Sequence, residues 1–135
     1  MEDCIFCKLI KGDLPGEIIA ENDEFVAILG IFPKFPGMTS IVVKEHKAPY
    51  LYESLSDDEL TKMHLFAKSV ALTLNKALGS YRTIQVMEGF EIPHGHLKLF
   101  PVYKDQHYDC SYEGTVQASN EELKRVAEKI RKVVS

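Results

Sequence analysis

The chain has 135 residues, 45% hydrophobic and 27% charged, with a net charge of −4. This is the size and balance of one compact globular domain, large enough to fold without disulfides. No apolar run reaches membrane-span length, the acidic start Met1-Glu2-Asp3-Cys4 lacks a secretion signal, and no basic excess marks a nucleic-acid surface. The expectation is a cytoplasmic protein with no membrane or nucleic-acid partner.

Asp3–Lys11 suits a short helical turn, broken by Gly12-Asp13-Leu14-Pro15-Gly16. Glu17–Glu21 reads as a strand, Asn22-Asp23 as a turn, and Phe25–Ile31 as the hairpin partner. A loop with Pro33 and Pro36-Gly37 leads to Thr39–Lys44, whose Ile41-Val42-Val43 suits an interior strand. Ser56 and Glu59 have capping-box spacing. Leu60, Met63, Ala67, Val70, Leu74 and Ala77 then line one face of a helix that Gly79 should end.

Tyr81–Glu88 and Leu97–Tyr103 read as two more strands, joined through Gly89–Pro93. Ser119 and Glu122 open a terminal helix with Leu123, Val126, Ala127, Ile130 and Val133 on one face. Three strands before the long helix and two after it predict an α+β fold, a five-stranded antiparallel sheet with helices against it. The whole chain, residues 1–135, is expected to be one domain: a core over about 3–103 and a helix over about 119–134.

The segment Pro93-His94-Gly95-His96-Leu97-Lys98-Leu99 carries the most chemistry. Strand alternation sets His94, His96 and Lys98 on one face and turns Leu97 and Leu99 toward a core. A neutral imidazole can attack phosphorus, and a cationic neighbour can hold phosphate charge. The competing reading is the exposed polar face of an edge strand. Cys4-x-x-Cys7 reads as metal ligands or as a redox pair, and no strand precedes it as redox motifs of this spacing normally require. Cys110 stands apart, His64 lies on the long helix between apolar positions, and His107 falls in a loop; none is expected to be functional.

Four segments in order carry a resemblance. They are Asp3-Cys4-Ile5-Phe6-Cys7 through Pro15, Phe32-Pro33-Lys34-Phe35-Pro36-Gly37, Ile41-Val42-Val43-Lys44-Glu45-His46, and Pro93-His94-Gly95-His96-Leu97-Lys98-Leu99-Phe100. Over about residues 3–103 the chain resembles the histidine-triad family of nucleotide hydrolases and transferases, in its zinc-bearing bacterial form. The resemblance implies that His96 attacks the α-phosphorus of a nucleoside phosphoramidate or phosphate ester to give a nucleotidyl-histidine. Lys98 would hold the phosphoryl oxygens. It also implies a structural zinc bound by Cys4, Cys7, His46 and His94, and a homodimer paired through about Ser56–Glu88, where Leu65 and Phe66 broaden the apolar face. The alternative is a non-catalytic module that binds a nucleotide or phosphate.

Several positions depart from the family pattern. Lys98 replaces the third triad histidine and carries a fixed charge, so it is a poorer proton donor. Gly30 replaces the acid that usually holds the ribose, and Met38 replaces a histidine. Met87, between Gln85 and Glu88, falls where a polar residue is usual. The Gly89–Pro93 loop is short and puts Glu91 where a phosphate-binding hydroxyl is expected. A carboxylate there repels phosphate unless it points away.

Overall fold

A computed structural model describes residues 3–134. Its elements are α1 (Ile5–Lys11), β1 (Ile18–Glu21), β2 (Phe25–Leu29), β3 (Thr39–Val43), α2 (Leu51–Ser54), α3 (Asp57–Leu78), β4 (Arg82–Val86), β5 (His96–Val102) and α4 (Asn120–Val134). The strands form one antiparallel sheet in the order β1-β2-β3-β5-β4. The α+β class expected from the sequence is the observed one.

Local signals explain most boundaries. The Asn22 side chain accepts from the backbone of Glu24 and Phe25 and shapes the first hairpin turn. Strand β2 stops at Leu29, short of the expected Ile31, because the Gly30 amide donates to the Met38 carbonyl and closes the chain into the proline loop. The Ser56–Glu59 capping box is complete, and α3 ends at Gly79. The short α2 was not anticipated; its four residues offer no periodicity to read.

The two faces of the sheet have different coverings. Phe25, Ala27, Leu29, Ile41, Val43, Leu97 and Leu99 meet Met63, Ala67, Val70 and Leu74 of α3 and Leu123, Ala127 and Ile130 of α4 in the main core. Phe66, partly buried, packs against this core and stacks on Phe25 with centroids 6.0 Å apart. On the opposite face Val26, Ile28 and Val42 pack with Cys4 and Phe6, so α1 covers that side. Between β5 and α4, residues 103–119 form an irregular strap that reaches this second face at Lys98.

Candidate functional site

Strand β5 lies between β3 and β4, which excludes the edge-strand reading of the histidine segment. Leu97 and Leu99 fill the main core, so alternation turns His96 and Lys98 onto the face beneath α1 and the strap. His94 precedes the strand yet is fully buried. Gly95 has a steric reason to be glycine: an added Cβ would stand 2.9 Å from a Leu51 methyl. Its amide donates to the Lys47 carbonyl, and its carbonyl accepts from Val43. The close approach of the 47–51 segment thus fixes the backbone that carries both histidines.

Cys4, Cys7, His46 and His94 converge, with all four ligand atoms within 4.8 Å of one another. Cys4 Sγ is 3.2 Å from His94 Nδ1, and Cys7 Sγ is 3.4 Å from His46 Nδ1. The Cys4 sulfur also caps α1 by accepting from the Cys7 amide. His94 Nε2 donates to the Val43 carbonyl at 2.6 Å, which leaves Nδ1 unprotonated and facing the thiols. Burial and the adjacent Cys4 push the Cys7 thiol above its ordinary range, and burial lowers His94 below the usual imidazole value. Two thiols and two neutral imidazoles at this spacing are the closed donor set of a zinc site, and a divalent cation relieves the cost of two neighbouring thiolates. The redox reading loses to this geometry, since both sulfurs face imidazole nitrogens across the fold.

His96 is set differently. Its Nδ1 donates to the His94 carbonyl at 2.7 Å, leaving Nε2 as the bare nitrogen. That Nε2 is buried and has no hydrogen-bond partner. The Phe6 ring meets the imidazole edge-on at 5.0 Å between centroids. Burial, reinforced by the Lys98 charge, lowers the His96 pKa and favours the neutral ring.

Lys98 is buried, and its surroundings are the part the sequence did not reveal. Its Nζ lies 3.2 Å from Glu88 and 3.9 Å from Glu91, with the Tyr112 ring centroid at 4.5 Å. Burial alone would lower the Lys98 pKa, but Tyr112 and Glu88 outweigh it and the net shift is upward. Glu91 therefore does not point away, although more than half of its side chain is exposed. Glu88 appeared in the sequence only as a flank of Met87, and Tyr112 lies in a stretch without periodicity. The strap is tethered by Lys34, which pairs with Asp109 at 2.9 Å and donates to the Glu113 carbonyl, and by the Ala118 amide on Ile31.

A cleft of about 590 Å³ opens between the proline loop and the strap, lined by Gly30, Lys34, Met38, Thr115, Val116 and Leu123 among others. It contains neither His96 nor Lys98. An added Cβ at Gly30 would come within 2.8 Å of the Met38 methyl, so Met38 occupies the space beside that glycine. His64 shares a hydrogen bond with Gln85 at 3.3 Å, and the exposed His107 stacks on Tyr108.

The sheet order, the Cys–His cluster and the histidine strand together define a class of small α+β histidine-strand proteins with a metal tie. The HIT domain model matches residues 11–105, and the chain belongs to the HIT, or histidine-triad, family. An uncharacterised HIT-like protein of Methanocaldococcus jannaschii is 33% identical over 108 residues, covering 75% of this chain and 80% of that one. The adenosine 5'-monophosphoramidase of Schizosaccharomyces pombe is 30% identical over 133 residues, covering 94% and 95%. A zinc-bound histidine-triad protein from Mycobacterium smegmatis has the same fold, with a TM-score of 0.82 at 19% identity over 98% of this chain and 94% of that one.

Proposed function

We propose that the chain is a hydrolase or nucleotidyl transferase acting on nucleoside phosphoramidates or related phosphate esters, with His96 as the nucleophile. The observation that carries this reading is His96 itself: Nδ1 committed to the His94 carbonyl, and Nε2 buried, unprotonated and unpartnered. An imidazole so held offers a lone pair in a fixed direction at neutral pH. The similarity to an adenosine 5'-monophosphoramidase over nearly the full chain supports the substrate class.

In this mechanism the His96 Nε2 lone pair forms a bond to phosphorus as the bond to the leaving group breaks. A nucleotidyl-histidine results. Water, or another acceptor, then attacks the same phosphorus and returns the electron pair to Nε2. Lys98 lends its charge to the phosphoryl oxygens in both steps. Zinc held by Cys4, Cys7, His46 and His94 would supply a structural tie between α1, the end of β3 and the start of β5. The bound metal would hold the His94 ring still, and the His94 carbonyl in turn holds His96.

The family pairing of two copies fits the surface: β4 is an edge strand, and Leu65, Leu72 and Tyr81 are exposed on or beside α3. One observation favours the second reading, a non-catalytic binding module. Lys98 is already paired with carboxylates, which leaves it less charge to lend a transferring phosphoryl group. Phosphorus NMR of adenosine 5'-phosphoramidate incubated with the protein decides between them. The enzyme reading expects release of adenosine monophosphate by wild type and none by a folded His96→Ala variant. Binding without release, in wild type as in variant, favours the module.

A further inference from the structure

The cation of this site is already balanced. Lys98 Nζ faces Glu88 at 3.2 Å and Glu91 at 3.9 Å, so the three side chains sum to one negative charge. Glu88 Oε1 is buried and, although it faces the ammonium, makes no well-aligned hydrogen bond. On the same face His96 Nε2 has no hydrogen-bond partner. A buried acceptor without a good donor costs free energy that a ligand's N–H group can recover.

We infer that Glu88 is a specificity-determining residue that turns this site away from dianionic phosphates and toward phosphoryl compounds carrying a positively charged amine. The phosphoryl group would face His96 Nε2 and Lys98. The ammonium would donate to Glu88 Oε1 and lie beside the half-exposed Glu91. A free phosphate dianion meets no uncompensated cation here, because each attraction to Lys98 is offset by a carboxylate a few ångströms away. Tyr112, stacked on Lys98, limits the water that would otherwise screen these charges. This inference rests on the proposed function only in placing the phosphoryl group at His96.

Calorimetric titration with two probes tests it: orthophosphate, and phosphoethanolamine as the zwitterion. Wild type is expected to bind phosphoethanolamine at least about tenfold more tightly than orthophosphate. The near-isosteric Glu88→Gln variant, checked by its melting curve, should gain about tenfold for orthophosphate and lose the preference, as follows from removing one unit charge beside a bound anion. A purely structural role for Glu88 predicts no gain in phosphate binding. Equal affinity of wild type for the two probes, an unchanged preference in Glu88→Gln, or binding of neither probe by either protein overturns the inference. The titrations need no turnover. A protein that shows the preference yet forms no bond to His96 loses the proposed chemistry and keeps this selectivity.

Discussion

Cys4 Sγ and His94 Nδ1 lie 3.2 Å apart although 90 residues separate them in the chain. With Cys7 and His46 they tie the first helix to the sheet. Metal analysis should find about one zinc per chain, and its removal should cost several kcal/mol of stability, read as a large fall in melting temperature. In the loaded protein only Cys110 should alkylate. It should react more slowly at neutral pH than a small free thiol, because burial and then Asp109 raise its pKa and so reduce the thiolate present. Chelation should expose all three thiols. Three freely reactive cysteines without a chelator would contradict the site.

Gly89 holds a φ of 68°, and a Cβ added there would stand 2.7 Å from the Pro49 carbonyl oxygen. Both the backbone conformation and the close approach penalise a side chain. Gly89→Ala should destabilise by about 1–3 kcal/mol in urea unfolding. It should also weaken phosphate-ligand binding, since the same loop carries Glu88 and Glu91.

Leu65 and Phe66 are neighbours with different fates: Leu65 is 61% exposed, while Phe66 is partly buried against the core. Sedimentation should show twice the 15.3 kDa chain mass for wild type and a single chain for Leu65→Glu. Phe66→Ala should instead lower stability by about 2–3 kcal/mol. A monomeric wild type at micromolar concentration would sink the pairing.

The sheet, the long helix and both termini of that helix were legible because periodicity, a capping box and Gly79 all pointed the same way. The four zinc ligands were legible only through the family resemblance, since Cys4-x-x-Cys7 alone left metal and redox readings open and no local pattern reveals that Cys4 meets His94. The ion pair on Lys98 was not. Glu88 and Glu91 sit on a short irregular loop and Tyr112 on an irregular strap, where spacing does not determine direction. Phe66 widens the apolar face as the sequence suggests, but it packs against the core, so helix α3 is covered over a wider arc than its regular stripe of three- and four-residue spacings. The α4 helix also packs against α3, contributing to the same core.

Lys98→His restores a side chain whose pKa lies near neutrality, the better proton donor to a leaving group. With Glu88 still present to hold the protonated ring, kcat for adenosine 5'-phosphoramidate should rise on the order of tenfold or more. An unchanged kcat would mean that leaving-group protonation does not limit the rate.

The proposed chemistry depends on a bond between His96 Nε2 and phosphorus. Intact-mass spectrometry after rapid quenching of the protein with adenosine 5'-phosphoramidate tests it most directly. A mass increase of one adenylyl group, mapped to His96 and absent from His96→Ala, is expected. Turnover that persists in His96→Ala, or an adduct mapped to any other residue, would contradict it.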